Sequence, residues 1–333
     1  PVALASPAGT TAVTAFMATV LDDTTAAAAR TTLVAAGSGA VTGSELTMTT
    51  ARLLGRTTAA TGAVEEITVG TGLTLSAGSL TASAGAPRSY LAGLGLSTAG
   101  GSGTMSIAAG ICRDATNAAD ITVAALSKTT SAWAVGTGNG GLDTGAIANS
   151  TWYHFWAIKR SDTGVTDVLI STSASAPTMP TGYDYKRRIG SGKTDGSAQW
   201  TLFSQVGDEF LWSTPPALDV DTTNPGIAAV TATLTVPTGV KVRAVVNTHF
   251  VFGTNNFIGY LSALDQADVA PSATASPLGN LGAAAASGAA QSDQIVLRTN
   301  TSAQIRYRIS VSGGADIVRI ASLGWFDSRG RDE

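Results

Sequence analysis

The chain has 333 residues, 13% of them charged and 6% aromatic, and carries a formal net charge of -3 with no run of lysine or arginine. It therefore lacks the cationic face that holds a nucleic-acid backbone, while an apolar content of 44% is enough to build cores and argues against disorder. The lone cysteine, Cys112, rules out an intrachain disulfide and a cysteine-rich zinc site.

Alanine, glycine, threonine and serine dominate, which is the profile of a turn-rich β protein. Residues 1–35 are expected to form a helical collar or linker. Val13, Phe16, Met17 and Val20 recur at helical spacing, and Asp22 and Asp23 precede the alanines 26–29, Arg30 and Leu33. From residue 36 to 85 the helical period disappears. Short apolar pulses, Ile67/Val69 and Leu73/Leu75/Leu80, are separated by Gly, Thr and Ser, and none is long enough to make a core of its own. Such a segment is expected to be a fibrous β shaft in which several copies share one apolar seam.

Residues 86–214 are expected to be a first β domain with longer, aromatic strands. Residues 151–160 and 165–171 read as a hairpin around Ser161-Asp162-Thr163-Gly164. In its first strand Trp152, His154, Trp156 and Ile158 alternate with Tyr153, Phe155, Ala157 and Lys159, so both faces carry bulk and both should be buried. Pro215, Pro216 and residues 219–225 read as a linker. Residues 215–333 then form a second β module, with strands expected at 230–236, 240–247, 249–252, 257–264, 294–298, 303–311 and 317–326. Ile305, Tyr307, Ile309 and Val311 alternate with polar neighbours, as in an antiparallel sheet with one wet face. The strand count and glycine-rich turns favour a sandwich-like module, and the alanine-rich residues 267–292 read as a surface loop.

Several of these phrases are familiar. The run 55–81 resembles shaft segments of tail-fibre proteins of tailed bacteriophages and prophages, and residues 21–33 resemble a phrase that precedes such shafts. Residues 136–145, the hairpin at 151–171 and residues 179–191 resemble a recurrent distal domain of prophage fibres, and the whole second β module, together with its ending 324–332, resembles fibre tips. The resemblance implies a mainly β homotrimer with a short N-terminal helical segment, an intertwined β shaft and two distal antiparallel sandwich-like modules. It implies a virion protein assembled in the host cytoplasm, attached to other tail or baseplate proteins, not membrane-inserted, and touching a bacterial surface glycan or outer-membrane protein. Two other readings are a fibre or baseplate appendage without receptor contact, and a polysaccharide-degrading tailspike.

Residues with chemical potential are few. Gly136 to Gly141 lacks the Lys-Ser/Thr ending of a phosphate loop and reads as a Gly/Asn turn. His154 and His249 sit in apolar strands without metal-ligand spacing, and Cys112 reads as a buried small apolar residue, so no cofactor or metal is expected. Of the carboxylates, Asp208 and Glu209 are adjacent and point to opposite faces of a strand, Asp162 belongs to the hairpin turn, and Asp167 lies in its second strand; no facing acid/base pair emerges, and no catalysis is expected. Receptor contact is expected from aromatics beside amides, Phe252, Asn255, Asn256, Phe257 and Tyr260, with Phe250 nearby. A second candidate for anionic sugars is Tyr183 and Tyr185 with Lys186, Arg187 and Arg188.

Overall fold

The computed structural model describes residues 24, 25, 28, 49–61, 64–70, 72–82, 85–253, 257–275, 280–284 and 288–331. The chain divides into two compact units, Pro1–Ala84 and Gly85–Glu333. The elements formed by the described residues are β-strands arranged in several sheets. The expected collar of residues 1–35 lies outside the described residues apart from Thr24, Thr25 and Ala28. There Thr25 Oγ1 accepts the Ala28 N–H at 3.1 Å, the bond a capping threonine makes to the third residue after it.

In the first unit β1 (Arg52–Gly55) pairs antiparallel with β2 (Glu65–Thr68), placing Leu53 opposite Ile67. A hairpin joins β3 (Leu73–Ser76) to β4 (Ser79–Ala82), with Leu75 opposite Leu80. Its two-residue turn, Ala77-Gly78, has φ of 49° and 78°, the doubly positive geometry whose twist matches the strands it joins. Strand β4 is exposed along its whole length.

The second unit opens with β5 (Leu91–Gly93), β6 (Leu96–Ser97), β7 (Thr104–Ile107), β8 (Gly110–Arg113), β9 (Asp120–Val123), β10 (Leu126–Ala132) and β11 (Gly140–Leu142). Next come β12 (Trp152–Arg160), β13 (Thr166–Ser171) and β14 (Tyr183–Lys193). Strands β5, β8 and β9 make a small sheet, and a seven-stranded sheet runs in the order β14-β12-β13-β11-β10-β7-β6. Strands β12 and β13 form the expected hairpin, with Phe155 opposite Ile170. Being interior, β12 buries Tyr153 to Ile158 on both faces: Tyr153, Phe155 and Ala157 join the main core, and Trp156 and Ile158 pack with Leu169 and Tyr183.

The sheet departs from a purely antiparallel one, because β11 runs parallel to both β10 and β13. The return from β10 takes only residues 133–139, far shorter than the crossover that parallel neighbours ordinarily need. Buried Lys128 makes this tight return possible. Its Nζ donates to the carbonyls of Ala134 (2.8 Å) and Gly136 (3.0 Å) and pairs with buried Asp167 at 2.8 Å, which also accepts the Gly136 N–H. Backbones then approach so closely that a Cβ on Gly140 would lie 1.9 Å from the Ala132 carbonyl oxygen, and one on Gly141 2.6 Å from Ile170. The glycine run is thus a packing requirement of β11.

The chain continues through β15 (Phe203–Val206), β16 (Glu209–Trp212), β17 (Val220–Thr223), β18 (Val230–Thr233), β19 (Arg243–Val251) and β20 (Phe257–Ser262), then β21 (Asn280–Ala284), β22 (Ala290–Arg298), β23 (Gln304–Ile309) and β24 (Ile317–Phe326). A six-stranded sheet is ordered β15-β16-β24-β19-β22, with β17 also paired to β24, and a four-stranded sheet is ordered β18-β23-β20-β21. Buried residues of the second, Leu261, Ile305, Tyr307 and Ile309, share a core with Ala244, Val246, Val318 and Ile320 of the first. Arg306 and Arg308 fall on the other face of β23.

Three expectations change here. The segment 219–225 is not a linker: β17 pairs with β24, and Asp219 accepts the Ser322 N–H and hydroxyl on one oxygen and the Thr235 N–H and hydroxyl on the other. Residues 267–292 are not one loop, since β21 and the start of β22 lie within them. Residues 86–214 and 215–333 are not packed as separate modules, because β15 and β16 belong to the same sheet as β19, β22 and β24. An aromatic cluster makes the join: Phe210 stacks on Trp325 at 5.0 Å, and Trp212 and Trp152 approach the same indole at 5.0 and 5.3 Å. Turn residues at 215–216 mark a bend inside one folding unit, and the apolar faces on either side cover each other.

Replacing Gly140 by alanine should lower stability by about 2–3 kcal/mol through overpacking against backbone, whereas Gly196→Ala, which meets nothing within 4 Å, should be neutral. Thermal unfolding of the two variants side by side checks this; equal midpoints would contradict the crowding.

Candidate functional site

The second unit carries a cleft of about 810 Å³. Three adjacent strands build one wall of it. Arg243 at the start of β19 stands directly opposite Arg298 on β22 and Phe326 on β24, so these three side chains share one face. The Arg243 guanidinium lies over the Phe326 ring, 5.0 Å from its centre. Lys241, two residues earlier and exposed in the same alternation, extends the cationic row, with buried Val242 between them. The opposite side brings Asp208, Asp327 and Arg331, with hydroxyls from Ser175, Thr301 and Ser328 along the lining.

The two carboxylates are already engaged. Asp208 pairs with Arg331. Asp327, almost fully buried, receives both arms of Arg188 at 2.7 and 2.8 Å and the Arg329 N–H at 2.8 Å. Burial alone would raise the Asp327 pKa, but the Arg188 charge and these hydrogen bonds outweigh it and hold the carboxyl below its ordinary range. Among the cations, Arg298 pairs with Asp265. Lys241 and Arg243 have no carboxylate partner among the described residues.

Beneath the cleft lies a closed polar core. Ser191 Oγ is 2.9 Å from His154 Nδ1 and 3.5 Å from Arg188 Nη1, and the Arg329 guanidinium reaches the carbonyls of Ile189 (2.7 Å), Gly93 (3.0 Å) and Leu94. Serine, histidine and aspartate here do not form a nucleophilic relay. Both oxygens of Asp327 are taken by Arg188, and His154 and Ser191 are 1% and 0% exposed, out of reach of a substrate. Burial and the neighbouring Arg188 charge push the His154 pKa down to about 3, so the ring is neutral.

The residues expected to touch a receptor fare differently. Phe252 is buried in the core, as is Phe250. Tyr260 is buried, its hydroxyl donating toward the Ser272 and Ala275 carbonyls. Tyr183 is buried edge-on against Trp133 at 5.3 Å, and Tyr185 is half-buried against the core. Arg187 and Arg188 are buried as well, and Lys186 lies over the Trp156 ring. Strand alternation turned these aromatics inward, so they supply packing and not a contact surface. Asn255 and Asn256 lie outside the described residues, as does the side chain of Phe257 at the start of β20.

Other candidates also resolve into structure. Asp162 is bound by Arg160 across the hairpin turn, and Asp167 by Lys128. His249 meets Ser292 at 2.9 Å. Cys112 is buried, its thiol pushed up to about 12 by desolvation. Among the described residues no group of three His, Cys, Asp or Glu is placed to hold a metal ion, and no helix is long and apolar enough to cross a membrane. The cleft cations Lys241, Arg243, Arg298 and Arg331 were not foreseen. Strands β19 and β22 and the turn after β24 bring them together, and the one local clue is the Lys-Val-Arg alternation at 241–243. The chain matches no protein-family model and no curated protein.

The folded pKa of His154 lies below its unfolded value near 6.5, so its stabilising contribution is complete above pH 6.5 and is lost as pH falls toward 3. Stability should drop by on the order of 2 kcal/mol between pH 6.5 and 4.5, and His154→Gln should flatten that slope whatever its absolute stability. Denaturant unfolding at several pH values measures it; parallel slopes for the two proteins would contradict the assignment.

Proposed function

We propose that the protein is a structural and adhesive component of a bacteriophage tail fibre, acting as a homotrimer on the virion. In this reading residues 36–85 supply the shaft, and residues 86–333 supply the surface that meets a bacterial glycan or outer-membrane protein. Other tail or baseplate proteins hold the fibre. Three weak sites on one particle then act together through avidity.

The observation that carries the reading is the apolar surface left open by the hairpins of residues 49–82. Leu54 is 42% exposed, Val64 67%, Leu73 45% and Leu80 46%. Two-stranded hairpins are marginal in water alone, and each leucine covered contributes about 1.5–3 kcal/mol when fully withdrawn from solvent. Other copies of the same chain offer the same leucines at the same height, which makes self-association the direct way to cover them. The sequence resemblance to fibre shafts points the same way. The reading assigns no catalytic turnover, in keeping with the engagement of Asp208 by Arg331 and of Asp327 by Arg188.

Light scattering of the purified protein should give three times the 33.3 kDa chain mass. Leu80→Asp, at a position exposed in one chain, should lower that mass or lower the melting temperature by placing charge on the shared seam. A folded wild-type monomer at micromolar concentration would overturn the proposal.

A further inference from the structure

We infer that the cleft between β19, β22 and the turn after β24 is a binding site for an anionic sugar, held by Arg243 and Lys241. The argument begins with a cost. Arg243 and Arg298 are direct cross-strand neighbours, and like charges so placed repel. Asp265 relieves Arg298 from the rim, and Asp208 relieves Arg331 across the cleft. Arg243 and Lys241 are left without a carboxylate although both line the same concavity. Two cations without a carboxylate partner thus stand beside a third on one wall of this cleft, and an external anion bound there would relieve their repulsion.

The geometry suits a fixed anion clamp. Stacking on Phe326 limits the swing of the Arg243 guanidinium, so less side-chain freedom is lost when its N–H edge takes two oxygens of one group. Lys241 adds a point charge beside it. Ser175, Thr301 and Ser328 offer hydroxyls that can both donate and accept, the complement of a sugar's own hydroxyls. The cleft volume of about 810 Å³ falls in the range that takes a small molecule or a few sugar rings. The anion is an oxyanion, either the carboxylate of a hexuronate or a phosphate ester, and the same two cations recognise both. The site rests on the adhesive reading above only for where the sugar comes from, a cell surface.

The test is calorimetric titration of the full chain with trigalacturonate, glucose 6-phosphate, neutral maltotriose and inorganic phosphate, together with its native mass. Saturable binding of trigalacturonate or glucose 6-phosphate, but not of maltotriose, is expected, and which of the two binds identifies the anion. Arg243→Gln and Lys241→Gln should each weaken it about tenfold, and affinity should fall as salt rises. Melting of Lys241→Gln should be unchanged, since that side chain is exposed. Absence of saturable binding by both anionic sugars, or equal binding of maltotriose, would overturn the site. Inorganic phosphate binding as tightly as the sugars would reduce it to an adventitious ion only. A lower native mass in either variant would overturn it in favour of a contact between copies. Sugar binding by a monomer would leave the site standing and remove the fibre reading, whereas a trimer that binds no anionic sugar would do the reverse.

Discussion

The pairing of Arg188 with Asp327 is the constraint around which the second unit is arranged. Both groups are almost wholly withdrawn from water, and neither could be tolerated there alone: removing one partner from such a pair costs about 3–5 kcal/mol because the other is left as an unpaired buried charge. The bond joins β14, at one edge of the seven-stranded sheet, to the residues that follow β24 in the six-stranded sheet. Arg329 then carries the connection to the carbonyls at 93, 94 and 189. Three regions remote in sequence are fixed together by hydrogen bonds that have definite directions, which apolar packing alone would not supply. The aromatic cluster around Trp325 fills the space beside that joint.

The same joint shapes the cleft above it. Asp327 has no charge to spare for a neighbour across the concavity, so it cannot neutralise Arg243 or Lys241. Beside it the His154 ring stays neutral, because burial and the Arg188 charge both disfavour its protonated form. The structural demands of the core and the cationic character of the surface are therefore linked through one carboxylate.

What could be read from the sequence followed from local periodicity. The β12–β13 hairpin was legible because bulk on alternate residues and an Asp-Thr-Gly turn are short-range signals, and the mainly β character was legible from composition. The pairing of β17 with β24 was not, because the polar, threonine-rich run 219–225 looks like a linker until Asp219 is seen plugging the irregular stretch at Ser322. The merging of two expected domains was hidden for a similar reason: Pro215 and Pro216 announce a bend, while the covering of Trp212 by Trp325 depends on residues more than a hundred positions apart. Aromatics beside asparagines suggested a contact surface, yet Phe252 and Tyr260 turned inward because strand alternation, not residue type, decides which side chains meet water. The cleft cations were invisible since their meeting is a fact of strand order alone.

Strand β24 sits at the middle of the six-stranded sheet, touched by β16, β17 and β19, and the residues just beyond it lock the joint with β14. During synthesis on the ribosome those three strands must wait without their common neighbour, and Arg188 without Asp327, until residues 317–331 have emerged. Completion of this unit consequently waits on contacts distant in sequence. A chain interrupted before that point would expose its unpaired strands and buried charge to proteases and chaperones.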